Sequence, residues 1–303
     1  MGRTGTLMLL GSMLAACTPG PIVGRCTVGA DCASGVCLGD GTCAPQQEAD
    51  GGAPSPDAFV PPGTDAGRPD AGPPAHCVPN EDGVVSRAEA PFGPGLAARY
   101  VVTGGVPVDT AGAGGRWDYG GALPGDHPFD VRTEAPDGRW FADRFPGADY
   151  VAPLAEDRDL LGVFRVTNAS LELLGVVSPL EGVGRTELRF EPAVRMLSFP
   201  LARGDRWTTE TRVTGLASGL AANFTETYEV EVDARGDVVT PYAPFDALRV
   251  RVTLTRTVGF TRTVTRQFLF VAECFGTVAT VVSEENETEI EFRRAAEIRR
   301  LGF

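Results

Sequence analysis

This chain has no lysine and only two histidines among its 303 residues. All 27 basic residues are therefore arginines, set against 40 aspartates and glutamates, and the formal net charge is -13. We interpret the missing lysine as the codon signature of a GC-rich genome. A chain this acidic repels nucleic acid and anionic membrane surfaces, so we predict no nucleic-acid partner.

The scarcity of histidine limits the catalytic mechanisms that are open to this chain. His76 falls in a proline-rich stretch and His127 in the sequence GDHPFD. A serine or cysteine hydrolase would depend on His127 alone, and the sequence has no G-x-S-x-G elbow and no H-E-x-x-H pair. We interpret His127 as a turn residue, and we predict no catalytic residue, no resident metal and no cofactor.

Acidic and aromatic residues gather in the glycine- and proline-rich sequence before residue 155. A glycosidase that uses two carboxylates stays open, because the aspartates of this stretch include Asp109, Asp118, Asp126, Asp130 and Asp143. Rings in loops can line a groove for sugars, peptides or lipids, and those that cluster here include Trp117, Tyr119, Trp140, Phe141 and Phe145. The plainer interpretation is that the acids are solvated and that the rings pack between loops and sheet.

The first apolar run, LMLLGSMLAAC at 7–17, follows Arg3 and is too short for a permanent membrane span. Its end, Leu14-Ala15-Ala16-Cys17, resembles the lipobox of bacterial lipoproteins. The resemblance implies a signal peptide at 1–16 and palmitate or a similar acyl group on Cys17. Two or more acyl chains give stable anchoring, and we expect membrane contact through this lipid alone. Because Thr18 is not the aspartate of an inner-membrane retention signal, we expect the outer membrane, on its periplasmic or its surface face.

Cysteine parity agrees with export. Seven cysteines are present, and lipidation of Cys17 leaves an even number for disulfides. Four lie close together and allow three pairings, and their C-x5-C-x4-C-x5-C spacing lacks the C-x2-C pairs that zinc sites favour: Cys26, Cys32, Cys37 and Cys43. Cys77 and Cys274 remain as a natural pair, the alternative being a loop cysteine and a buried free thiol.

Two resemblances describe the segments before residue 77. Asp31-Cys32, Ser34-Gly35, Cys37, Asp40-Gly41 and Cys43 resemble the short cysteine-rich motifs of myxobacterial lipoproteins and the Dickkopf-type amino-terminal motif. That resemblance implies a stapled spacer or binding knob. The segment 44–76 is rich in proline, glycine, alanine and aspartate, and its DAGRPDAGP texture resembles myxobacterial lipoprotein stalks. We predict a lipidated cysteine-rich mini-module at 17–43, a disordered linker at 44–76 and a β-rich domain at 77–303.

Period-two alternation in the last segment predicts antiparallel strands. It is clearest at 224–232, 248–258 and 264–271, with further strands expected at 97–103, 160–167, 170–177, 185–191, 194–199, 206–214 and 277–284. Arg235-Gly236-Asp237 resembles a tight turn, and 292–301 fits either a short helix or a last edge strand. With no long amphipathic helix in view, we predict an all-β fold, an antiparallel β-sandwich or an open β-barrel.

A further resemblance concerns the fold type alone. Pro200, Leu201, Gly204, Asp205 and Trp207 match a "PL-x-x-GD-x-W" turn of uncharacterised exported bacterial β-domains. The segment Pro244, Phe245, Ala247, Leu248 and Arg249 matches a second motif of the same domains. Neither motif carries catalytic residues.

The segment VPNEDGVVSRAE at 78–89 resembles an EF-hand calcium loop. Four residues stand at ligand positions, Asn80, Asp82, Ser86 and Glu89, and Gly83 stands at the turn. The first ligand position holds Val78 in place of aspartate, so one carboxylate is missing. The alternative is a polar turn that begins the domain.

These features favour a lipid-anchored cell-envelope protein that displays a non-catalytic β-domain for binding or envelope structure. Its partner would be an envelope protein or a small ligand. Two other classes stay open: a carrier of hydrophobic ligands with a cavity lined by 160–177 and 248–270, and a hydrolase that acts on polysaccharide.

Overall fold

The computed structural model describes residues 77–154 and 159–303. The signal peptide, Cys17, the mini-module and the linker all lie outside the described residues. Within them, every regular element is a β-strand except for two single 3-10 turns, at Arg87–Glu89 and Ala142–Arg144. We find no helix in these ranges with the length and apolarity that a membrane span requires.

Sixteen strands follow one another within the described residues. The first eight are β1 (Val84–Val85), β2 (Ala97–Thr103), β3 (Val106–Pro107), β4 (Arg116–Asp118), β5 (His127–Arg132), β6 (Tyr150–Pro153), β7 (Leu161–Val166) and β8 (Ser170–Val177). The others are β9 (Glu187–Ser198), β10 (Leu201–Ala202), β11 (Arg206–Ala217), β12 (Leu220–Val239), β13 (Pro244–Val258), β14 (Thr261–Ala272), β15 (Gly276–Ser283) and β16 (Arg294–Leu301).

Twelve of these strands form one antiparallel sheet that nearly closes on itself. Its order is β5-β2-β16-β15-β14-β13-β12-β11-β9-β8-β7-β6. Strand β3 adds to β16, β4 adds in parallel to β12, and β1 pairs with β10 in a separate two-stranded sheet. The predicted all-β class with an antiparallel sheet is confirmed, and of the two architectures the open barrel is the observed one.

The face that the sheet curls around is packed with apolar side chains. Leu248, Val250 and Val252 of β13 lie on this face, in one buried cluster with residues of β8 and β9 such as Leu173 and Val194. Residues of strands that are far apart in the strand order, such as β8 and β13, meet in this cluster, as expected of an enclosed face. The alternation in the sequence therefore marks this core correctly.

The outer face carries two further buried clusters, each formed where loops cover strands. In one, Trp117 and Tyr119 pack on Phe270 of β14, with ring centroids 5.1 and 5.7 Å apart. In the other, Phe141 and Phe145 cover β6, β7 and β8. The long loops before residue 155 are thus outer layers of the domain.

The barrel is joined at its seam by a short contact between its two end strands. Glu134, just beyond β5, and Val151 of β6 exchange two backbone hydrogen bonds of 3.0 and 2.8 Å. Pro128 on β5 and Pro153 on β6 lack the N–H that further pairing would need. Arg299 reinforces the seam, since it donates to the carbonyl of Leu154 at 3.0 Å.

Two predictions about local structure are wrong. Arg235-Gly236-Asp237 is no turn, since it lies inside β12 and pairs with β13. Its glycine serves a close approach: a Cβ on Gly236 would lie 1.9 Å from the carbonyl oxygen of Gly115. The segment 292–301 is a strand, as one alternative held, but β16 lies between β15 and β2 and is not an edge.

Cys77 and Cys274 form a disulfide, with their Cα atoms 5.5 Å apart. The bridge joins the first described residue to the turn between β14 and β15, a sequence separation of 197 residues. The predicted pairing is therefore present, and it closes almost the whole domain into one loop.

Replacing both Cys77 and Cys274 by serine should lower the free energy of unfolding by up to about 5 kcal/mol, because the unfolded chain regains its loop entropy. Urea denaturation of the oxidised wild type and the double variant measures this difference. Wild type treated with a reductant should match the double variant. Identical urea midpoints for all three samples would contradict the prediction.

Candidate functional site

The polar loop 78–89 is fastened to the domain beside the disulfide. The backbone N–H groups of Asn80 and Glu81 donate to Glu273 Oε2 at 2.7 and 3.0 Å. Arg235 donates to the carbonyl of Glu81 at 2.9 Å and pairs with Asp246. Carboxylate, guanidinium and disulfide together fix the point at which the chain enters the domain.

Three of the four residues of the calcium-loop motif converge in this loop. Asn80 Nδ2 donates to Asp82 Oδ2 at 3.2 Å and to Glu89 Oε1 at 2.9 Å. Ser86 contributes its backbone N–H, which donates to Glu89 Oε2 at 2.9 Å. A carboxamide nitrogen thus occupies the space between the two carboxylates where an EF-hand holds its ion. In the described ranges, no group of three or more His, Cys, Asp or Glu side chains is arranged to hold a metal.

Four of the five candidate aspartates make hydrogen bonds or ion pairs within the domain. Asp109 accepts from the N–H of Ala111 at 3.1 Å, and Asp118 from that of Gly120 at 3.1 Å. Asp126 pairs with Arg300, and Asp130 accepts from Arg99 Nε at 2.6 Å. The hydrogen bond from Arg99 holds the pKa of Asp130 below its usual range. Asp143 stands in the second 3-10 turn.

The aromatic residues of the same region pack against the sheet, as the plainer interpretation held. Trp117 and Tyr119 are buried, and they donate to the carbonyls of Thr110 and Asp109 at 2.8 and 2.9 Å. Phe141 and Phe145 are buried as well. Trp140 is half-buried and donates to the carbonyl of Ser178 at 3.0 Å.

His127 begins β5, at the end of the loop that leads into it. Its Nδ1 atom lies 2.8 Å from the carbonyl oxygen of Gly125, two residues earlier. Such a contact is typical of a turn residue. His76 lies outside the described residues.

A buried arginine that the sequence did not single out as a site organises the outer layer. Arg249 binds Asp233 through two hydrogen bonds of 2.8 Å, and Glu291 at 2.9 Å. Its guanidinium lies over the rings of Trp117 and Phe268, 5.2 and 4.5 Å from their centroids. Burial alone would lower the pKa of Arg249, but the hydrogen bonds and charges of the two carboxylates raise it above the ordinary value. Arg249 is therefore a fixed cation that joins strands and loops.

Arg300, on β16, is a second buried arginine that binds a loop. It is fully buried and donates to the carbonyls of Tyr119 and Gly121 at 3.0 and 2.8 Å, besides its pair with Asp126. Neither arginine stands out in the sequence, because charged residues lie close to both, such as Arg251 in β13 and Arg299 in β16.

One groove on the described surface has a volume of about 540 Å³ and runs between 107–111 and 291–293. Asp109 and Glu291 both line it. Asp109 accepts from the backbone N–H groups of Ala111 and Gly112, and Glu291 accepts from Arg249, so both carboxylates make contacts within the domain. The second groove, of about 240 Å³, lies at the seam beside Asp130 and Pro153.

Comparisons with protein-family models, with curated proteins and with solved structures found no match for this chain. Its function must therefore be argued from its own residues.

Glu187, at the start of β9, is a buried carboxylate among three arginines. Arg144 Nη1 lies 2.7 Å from it, Arg189 Nη2 3.1 Å and Arg185 Nε 3.5 Å. Burial by itself would raise the pKa of Glu187, but the hydrogen bonds and charges of Arg144 and Arg189 outweigh it, so the pKa lies below its usual value. Its ionised form therefore stabilises the fold above the unfolded pKa near 4.5, and this contribution is lost as pH falls through the lower folded pKa.

Substituting Glu187→Gln should lower the free energy of unfolding at pH 7 by roughly 2 kcal/mol, since charge-assisted hydrogen bonds are lost. The deficit should shrink at a pH well below the unfolded pKa of 4.5, as the wild-type carboxyl also loses its charge on passing through its lower folded pKa. Urea denaturation at both pH values measures it. Glu181→Gln, in the exposed loop just before β9, is the matched control and should change neither value. A Glu187→Gln deficit that is independent of pH would contradict the assignment.

Substituting Asn80→Asp should place a third carboxylate beside Asp82 and Glu89. Without calcium, repulsion should lower the melting temperature by a few degrees, which corresponds to about 1 kcal/mol in a domain of this size. Calcium should restore it, because the site then has the acidic ligands it lacks. Asn80→Ala is the control, which calcium should not rescue. A rise in the wild-type melting temperature with calcium would show that the natural loop already binds the ion.

Proposed function

We propose that this chain is a lipid-anchored cell-envelope protein that displays a non-catalytic β-domain for binding or envelope structure. Cys17 would carry the lipid, and the segment 18–76 would link it to the domain. The absence of an aspartate after Cys17 favours the outer membrane as its location.

The observation that carries this proposal is the Cys77–Cys274 disulfide. Such bridges persist in oxidising compartments such as the periplasm and cell surface. This one lies at the point where the linker joins the domain, so a force along the tether would reach β14 and β15 directly through a covalent bond. That is a fitting construction for a displayed domain.

A non-catalytic role is supported by how the polar groups are used. Asp109 and Asp118 bind backbone N–H groups of their own loops, and Asp126 and Asp130 bind arginines of the barrel strands. A glycosidase needs two carboxyl groups that face each other across a groove with room for substrate. The contacts of the described residues do not indicate such a pair, so we do not favour the hydrolase.

The packed interior argues against the hydrophobic carrier. Leu171 and Leu173 of β8 lie in the same buried cluster as Leu248 and Val250 of β13. These are the strands that would line a cavity, and their side chains fill the space between them. We therefore favour an outer surface of the domain as the binding element, with an envelope component as the partner.

The Cys17→Ser variant tests the anchor. Wild-type cells fed labelled palmitate should yield a labelled protein in the membrane fraction, because the acylated cysteine holds it there. The variant should carry no label and should move to the soluble fraction. Cys274→Ser is the control, since it removes a different cysteine and should keep the label. A wild-type chain with an unmodified thiol at Cys17 would overturn the proposal.

A further inference from the structure

Five exposed apolar side chains occur at one end of the barrel, on the turns β8–β9, β11–β12 and β13–β14. We call this set the hairpin-tip surface: Leu180, Val183, Leu220, Val258 and Phe260. Phe260 is fully exposed, Val183 is 96% exposed and Leu220 is 74% exposed. The disulfide lies at the opposite end of β14, so the linker enters the domain far from this surface.

The backbone of these turns does not require apolar residues. Val258 and Thr261 pair across a two-residue turn whose first position, Gly259, has φ +58°. Such a turn needs glycine there and accepts most residues at the next position, which is Phe260. Polar residues are ordinary at exposed turns, so a phenylalanine ring in water has no stabilising role within this fold.

The turns are held next to one another. The N–H of Ser218 donates to Thr186 Oγ1 at 3.1 Å, and that of Gly219 donates to the carbonyl of Arg185 at 2.9 Å. Pairing of Thr225 with Thr257 then brings the β13–β14 turn alongside β12. The apolar tips are therefore presented together from a rigid sheet.

Two arginines beside the tips have no carboxylate partner among the described residues. Arg212 donates to Asn223 Oδ1 at 3.1 Å, and Arg262 to Thr255 Oγ1 at 3.4 Å. Arg256, by contrast, is paired with the buried Glu226. Both arginines are exposed and can meet an anionic group. The acidic loop between β15 and β16, with Glu284, Glu285, Glu287 and Glu289, bonds to β14 through Asn286 and Val264, so the charge at this end of the sheet is mixed.

We propose that the hairpin-tip surface docks on a phospholipid bilayer. The side chains of Phe260, Val258 and Leu220 would enter the boundary between headgroups and acyl chains, and Arg212 and Arg262 would meet the lipid phosphates. Apolar side chains at separate turn tips form no concave groove for a folded partner, whereas a soft interface accepts them individually. Phosphate oxygens are matched partners for guanidinium groups.

The proposed anchor makes this docking feasible, and in that respect the inference rests on the proposed function. Roughly 60 residues between Cys17 and Cys77 reach at most about 200 Å. The longest strand, β12, has 20 residues and spans about 66 Å. The tether is long enough for the domain to bring its far end to the membrane that holds its lipid. The net charge opposes anionic lipid at long range, so short-range apolar insertion must supply the attraction.

Vesicle flotation of residues 17–303 with Cys17→Ser tests the surface without the lipid. The probes are phosphatidylcholine vesicles and vesicles with one quarter phosphatidylglycerol, in about 0.1 M salt. We expect the protein to float with the vesicles. Val258→Ser with Phe260→Ser should weaken partitioning at least tenfold, and melting curves should stay unchanged because neither side chain packs in the core.

Phe303→Ser is the matched control, since Phe303 is 79% exposed but lies at the disulfide end of the barrel. It should leave flotation unchanged. Arg212→Gln with Arg262→Gln should weaken binding to both vesicle types. Absence of flotation, or equal loss in the Phe303→Ser variant, would overturn the proposal. Because the tested chain lacks Cys17, neither result depends on whether that residue is lipidated.

Discussion

The pairing of buried Arg249 with Asp233 and Glu291 is the interaction on which the outer architecture depends. A buried guanidinium costs several kcal/mol unless its partners are all in place. Those partners come from β12 and from the segment before β16, while the carbonyl of Thr110 adds a bond of 2.6 Å from an outer loop. Strand β12, the loop that contains Thr110 and the segment before β16 must therefore assemble together. The outer loops are thus bound into the same cooperative unit as the barrel.

Arginine suits this task for reasons that lysine does not share. Its planar group donates in a fixed fork while its flat faces pack on rings, as Arg249 does between two carboxylates, Trp117 and Phe268. Arg300 donates from one nitrogen, Nη1, to two carbonyls. Codon usage can account for the presence of arginine at every basic position. The role of each arginine in the fold depends on the shape of its side chain, which here adds polar contacts to the apolar packing between the sheet and its loops.

The sequence predicts the barrel strands far better than the layers outside them. Residues such as Val250 and Val252 alternate with polar neighbours, and period two is a local property that needs no tertiary context. The glycine of Arg235-Gly236-Asp237 misleads because the same residue type serves turns and close backbone approaches alike. The network of Arg249 was equally hidden, since 42 residues separate this arginine from Glu291. Ion pairs between residues far apart in the chain produce no periodic pattern in the sequence. The roles of side chains in the outer layers therefore become visible only in the fold.

A side chain that already makes structural contacts is a poor candidate for binding a ligand, so the side chains without such contacts indicate where this domain can act. Carboxylates in the loop-rich region hold backbone and guanidinium groups, and the rings there are buried. Groups in such roles cannot also serve a ligand without a loss of stability. At the turns the situation is reversed: Gly259 satisfies the backbone requirement, and the identity of Phe260 has no consequence for packing. An exposed ring that the fold does not need still raises the risk of aggregation. Its presence is best accounted for by a contact outside the domain, and so the ends of the hairpins, more than the grooves, are where an interaction should be sought.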